Sequence, residues 1–108
     1  MTGLQISQNL RESKRRWTRE HLYYHGSYCV VGLKLLEAGV TNRKMEEIES
    51  GQDYPTSLSR CSWLYQLNDS CRTKRELISR LESKQYAKKK IDFKQIAKDL
   101  MKVRRAGA

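Results

Sequence analysis

His21, His25 and Cys29 recur at steps of four. On a continuous helix that spacing would set two imidazoles and a thiol on one face, with Cys61 or Cys71 as a fourth ligand for a tetrahedral zinc. Gly26 and the surrounding tyrosines argue against such a helix, and the sequence has no Cys-x-x-Cys pair. Buried thiols and surface histidines are therefore the better reading. The same residues could be drawn as a cysteine nucleophile with His21 or His25 as base and Asn68 or Asp69 as orienter. Cys29, however, sits in the one long apolar run, Tyr28 to Gly39, where desolvation keeps a thiol protonated. Asn68-Asp69-Ser70 reads as a helix-breaking loop into which Arg72 hydrogen-bonds. The sequence offers no phosphate-cradling glycine loop and no paired-carboxylate motif. The expectation is a non-enzymatic protein with no catalytic residue, metal ligand or cofactor.

The chemistry that remains is electrostatic. The chain has 108 residues and a formal net charge of +10, unevenly placed. Eight basic and three acidic residues precede Met45, five and seven lie from Met45 to Ser83, and nine and two follow. Basic ends around a mildly acidic middle point to a polyanion, DNA or RNA. No stretch approaches the ~18 apolar residues that would span a bilayer, so a membrane is not an expected partner. Lys94, Lys98, Lys102 and Arg105 share ~80° of a helical surface and climb ~6 Å per step of four, a ladder able to follow a phosphate backbone. Lys88, Lys89 and Lys90 precede this ladder and Arg104 lies at its end, while Arg11, Lys14, Arg15, Arg16 and Arg19 would extend the patch if the two chain ends pack together. The plainer alternative is a solvated face of an ordinary amphipathic helix. Tyr23, Tyr24 and Tyr28 could stack on unpaired bases, although aromatic residues around a hairpin more often belong to a core.

These side chains need elements to position them. Tyr28 to Gly39 predicts a central helix packed by several neighbours, with Val30, Lys34 and Glu37 on one narrow side and Gly39 as its left-handed stop. Gly32, costly inside a helix, predicts close approach of another helix. Thr2 and Gln5 form a capping box for a first helix over 3–16, with Ile6, Leu10 and Trp17 on one face. Trp17 to Tyr28, with its His25-Gly26 turn signal, predicts a short hairpin. Thr41 or Asn42 caps a brief helix ending at Ser50 and Gly51, and the segment with Pro55 reads as a hinge loop. Ser57 caps a helix with Leu58, Cys61, Trp63, Leu64 and Leu67 that breaks at Asn68. Thr73 with Glu76 caps the next, carrying Leu77, Ile78 and Leu81 inward. Asp92 with Gln95, and Ile91 against Ile96, opens the last helix, whose apolar face is Phe93, Ile96, Ala97, Leu100 and Val103.

Trp17-Thr18, Cys29-Val-Val-Gly32-Leu33 and Leu67-Asn68-Asp69 followed by Arg72-Thr73 form a further pattern. It resembles a family of small uncharacterised actinobacterial and phage proteins with Trp-Thr, Cys-x-x-Gly-Ala-Leu and Trp-Asn-Asp…Arg-Thr motifs. The match covers Trp17 to about Glu82; Lys34 departs from the family's small-residue rhythm and Leu67 stands where the family has tryptophan. The resemblance implies a small, mostly helical domain with a short hairpin. It carries no established activity.

The reading is a mainly α fold: a compact helical domain over 1–83 and a basic amphipathic helical extension over 84–108. The three cysteines are odd in number and no secretory signal precedes them, so a cytoplasmic setting is expected. The expected function is nucleic-acid binding through phosphates, with a phage origin implied. The rival is a protein-interaction module, an inhibitor or adaptor of a host protein, or a component of a larger ribonucleoprotein. Such a module would use the basic helix against an acidic surface or its apolar face in a partner's groove: Phe93, Ile96, Leu100 and Val103 packed on the protein's own core would leave the lysines outward and favour nucleic acid, whereas exposed they would favour a protein partner.

Overall fold

The computed structural model describes residues 1–50 and 56–106, with Thr56 and 102–106 described by backbone alone. Among these residues there are six α-helices and one three-stranded sheet of two-residue strands, so the fold is mainly α. Helix α1 (Gly3–Glu12) begins with the expected capping box: Gln5 N–H donates to Thr2 Oγ1 and Thr2 N–H to the Gln5 side chain. It ends four residues earlier than its charged continuation suggests. Ser13 turns extended (φ −73°, ψ 131°), and Lys74 Nζ caps its carbonyl at 2.9 Å. The chain is thereby freed to enter β1 (Arg16–Trp17).

Strands β2 (Tyr23–Tyr24) and β3 (Ser27–Tyr28) form the expected hairpin. His25 and Gly26 both have positive φ, 48° and 80°, which is the backbone of a two-residue type I′ turn. The unexpected partner is β1, which pairs with β3 in parallel and makes the order β1-β3-β2.

Helix α2 (Val30–Glu37) follows with Cys29 as its N-cap, and Gly39 stops it at φ 107°. Of its narrow side only Glu37 is exposed: Val30 and Lys34 are buried, and the Lys34 ammonium reaches Glu37 at 2.8 Å along a sheltered stem. Gly32 does allow a close approach, by loop backbone instead of a helix. A Cβ there would lie 1.9 Å from the Leu22 carbonyl oxygen.

Thr41 caps α3 (Asn42–Glu49). Gly51 and the segment with Pro55, expected as helix stop and hinge, lie outside the described residues. A 3-10 turn (Thr56–Cys61) then leads into α4 (Ser62–Ser70), so Ser57 lies inside that turn instead of capping an α-helix. Asn68 and Asp69 are part of α4, which ends at Cys71; the expected break falls later because the Asn68 side chain is engaged elsewhere. Thr73 caps α5 (Lys74–Leu81), though Glu76 returns to Arg72 N–H instead of closing the box on Thr73. Asp92 caps α6 (Phe93–Ala106) through Gln95 N–H at 3.1 Å.

Packing joins the chain's ends. Helix α1 lies along α5, and α6 packs on α2 and on the 3-10 turn. Residues 84–108, expected as an extension, contribute Ile91, Phe93, Ile96, Ala97 and Leu100 to the same buried cluster as Ile6, Leu33 and Leu64. At about 1.5–3 kcal/mol for each large apolar side chain buried, Phe93, Ile96 and Leu100 alone fasten α6 to the body. The first residues latch to its approach: Thr2 bridges Lys90, Gly3 N–H donates to Lys89 O, and Ile91 N–H donates to Met1 O.

Gly32→Ala should be among the most damaging single-methyl changes in this chain. Its Cβ would meet backbone that cannot rotate away, so we expect a loss of about 3 kcal/mol or a failure to fold, read as the midpoint of urea unfolding.

Candidate nucleic-acid interface

The irregular segment from Thr18 to Leu22 runs between helices, with Leu22 fully buried, and its backbone groups must be satisfied there. Side chains from α4 and α3 do this. Asn68, fully buried, accepts from Trp17 Nε1 (2.7 Å) and Val30 N–H (2.9 Å) and donates to Thr18 O and Asp69 Oδ1 (both 3.2 Å). Asp69 also accepts from Glu20 N–H at 2.8 Å, holding Glu20 at φ 68°. Glu49 accepts from Leu22 N–H and pairs with His21 Nδ1 at 2.9 Å. The motif residues Trp17, Thr18, Val30, Asn68 and Asp69 thus meet in one structural node.

That node also separates the residues considered for catalysis or metal. The Cys29 thiol is fully buried and accepts from Gly32 N–H at 3.3 Å; burial pushes its pKa up to about 12. His21 faces Glu49 and stacks on Tyr24 with centroids 4.6 Å apart, and His25 meets Tyr24 edge-on at 4.2 Å. Cys61 is buried with its pKa raised to about 11, and Cys71 is raised as well, both chiefly by desolvation. Among the described residues no three His, Cys, Asp or Glu side chains gather where they could share a metal ion.

The exposed basic residues differ in whether a carboxylate already holds them. Arg11 is engaged: it forms a two-pronged pair with Glu82 (2.8 and 2.9 Å), which costs it availability for phosphate. Lys14, Arg15, Arg16 and Arg19 are exposed beyond the end of α1, with Arg15 lying 5.6 Å over the Tyr28 ring. Since α1 of ten residues is about 14 Å long and its start is latched to Lys89 and Lys90, this group is a helix length away from the lysine cluster. Tyr28 is buried and its hydroxyl donates to Asn42 at 2.8 Å, whereas Tyr24 is half exposed at the hairpin.

Lys88, Lys89, Lys90, Lys94 and Lys98 are all exposed. Among the described residues none of the five has an acidic partner within 4 Å; the acidic side chain near them on α6, Asp99, is paired with Arg60 at 3.3 Å. Lys90 and Lys94 line a surface depression of about 370 Å³ with Met1, Ile91, Asp92 and Phe93. The side chains of Lys102, Arg104 and Arg105 lie outside the described ones, although α6 runs through all three positions.

Two aromatic residues complete this surface. Trp63 and Tyr86, both partly exposed, stack with centroids 5.7 Å apart and planes 15° from parallel, and Lys89 Nζ stands 5.5 Å from the Trp63 centroid. The sequence signal for them was weak: Trp63 lies among core positions of α4, and Tyr86 falls where the helical pattern fades.

The thiols yield a prediction with a definite sign. Unfolded cysteines ionise near pH 9 while folded Cys29 and Cys61 stay protonated to about pH 12 and 11, so the folded state binds the extra protons. Their contribution is complete below pH 9 and falls as pH rises through the window from 9 to about 12, by about 1.4 kcal/mol per pH unit for each thiol. Urea midpoints between pH 8 and 10.5 should therefore drop less steeply for Cys29→Ala than for the parent chain. In comparisons with known proteins the chain matches no family model, and neither a curated protein nor a solved structure shows significant similarity to it.

Proposed function

We propose that this is a small basic nucleic-acid-binding protein that contacts phosphates through the lysines of the α5–α6 connection and of α6. The observation that carries the reading is the division of α6. Phe93, Ile96, Ala97 and Leu100 are buried in the protein's own core, while Lys94 and Lys98 stand outward one turn apart, with Lys88 to Lys90 beside them. Five exposed ammonium groups without an acidic partner, carried on 88–90 and the first turns of α6, repel each other, and a polyanion relieves that repulsion while releasing its counterions. In the rival reading, a helix laid into a partner protein's groove needs the same apolar residues free, whereas a basic helix set against an acidic protein surface needs only the outward lysines. No helix among the described residues is long and apolar enough to cross a membrane. The three cysteines are free and buried, which suits a reducing compartment such as the cytoplasm.

The test is fluorescence anisotropy of labelled DNA and RNA titrated with the protein across a salt series. Binding should weaken linearly with the logarithm of salt concentration. The triple variant K90Q/K94Q/K98Q should flatten that slope by about 2–3 and weaken binding at low salt at least tenfold. K14Q/R16Q/R19Q, on the far side of α1, should alter it less. No binding by the parent chain at low salt would sink the proposal.

A further inference from the structure

Charge alone does not distinguish a duplex from a single strand, but the aromatic pair beside the charge does. We infer that Trp63 and Tyr86, with Lys89, form a stacking site for an unpaired base, which makes the preferred ligand single-stranded nucleic acid. This inference rests on the phosphate-binding reading above and adds the class of ligand.

Trp63 is held on α4, and Tyr86 on the turn after α5, by near-parallel stacking of their rings. Both are partly exposed while packing on the core, so the pair is fixed from below. Backbone bonds hold the mount: Tyr86 N–H donates to Ser83 O, Lys89 N–H donates to Tyr86 O, and Gly3 packs so tightly that a Cβ there would lie 2.1 Å from the Tyr86 carbonyl oxygen. A preformed platform spends little entropy on ordering when a base arrives.

What covers Trp63 now is a replaceable group. Lys89 is an exposed side chain, and an ammonium over an aromatic ring at such a site is worth a factor of roughly two to five in an equilibrium. Stacking a base on an aromatic ring is worth roughly five- to 150-fold. A base therefore displaces Lys89 from the ring, and the freed ammonium takes the adjoining phosphate. The strand then continues along Lys90 and Lys94, which flank the depression over Met1, Ile91, Asp92 and Phe93, where the Asp92 carboxylate accepts from Gln95 N–H. A duplex keeps its bases stacked inside and offers no free face to Trp63. Because every base has a π-face, the site reads strandedness and not sequence.

The experiment compares U12 RNA, dT12 DNA and a 12-base-pair duplex at matched salt, using the parent chain and Trp63→Leu, Trp63→Phe and K90Q/K94Q/K98Q, each checked for folding by circular dichroism. We expect the parent to bind both single strands at least fivefold more tightly than the duplex. Trp63→Leu should lose that margin with its salt slope unchanged, and Trp63→Phe should keep most of it. The ratio of U12 to dT12 affinity then assigns the sugar. Equal binding of strand and duplex, unaffected by Trp63→Leu, would overturn the stacking site while leaving the phosphate reading intact. A folded Trp63→Leu that weakens all three ligands alike would overturn it too. Absence of binding to any of them removes both readings together.

Discussion

The fold depends on one buried amide. Asn68 uses every hydrogen-bonding capacity it has, accepting twice and donating twice, and the four groups it joins come from β1, the loop after it, the start of α2 and its own helix. Inside a low-dielectric interior such a network is stabilising only when complete; each partner left bare costs about 1–3 kcal/mol. Asn68 therefore dictates where Trp17 and Val30 lie, and with them the parallel entry of β1 beside β3. Leu22 can then press its carbonyl against Gly32, and α2 takes its central place. Once α2 is placed, it gives α6 a surface on which to bury Phe93, Ile96 and Leu100.

Much of this was legible because it is written locally. Thr2 with Gln5, Thr41, Thr73 and Asp92 each announce a helix start within four residues, and each is a cap in the structure. The His25-Gly26 turn is equally local. What could not be read depends on partners far along the chain. Asn68 resembles a helix breaker because short polar side chains usually compete for nearby backbone; here its competitors, Trp17 and Val30, are 51 and 38 residues away. The end of α1 at Glu12 depends on the ammonium of Lys74, and the pairing of β1 on a strand only two residues long.

The candidate surface shows the same division. Lys94 and Lys98 on the outer side of an amphipathic helix follow from periodicity alone. Whether a given cation is free is a different question, since it turns on carboxylates brought in by the fold. Arg11 reads like its basic neighbours in sequence and is nevertheless tied to Glu82, whereas Lys90 is not tied. Trp63 and Tyr86 lie 23 positions apart on elements that only packing brings face to face.

The latch between the first residues and the turn before α6 has a consequence for motion. Gly3 N–H donates to Lys89 O, Leu4 N–H donates to Ala87 O, and Met1 exchanges hydrogen bonds with Ile91, so the chain start is paired with the lysine-bearing turn itself. Fraying of the amino-terminal residues and loosening of the basic turn are therefore one event, not two. Whatever occupies that turn slows amide exchange at Gly3 and Leu4, and whatever pulls the first residues away loosens the platform the turn carries.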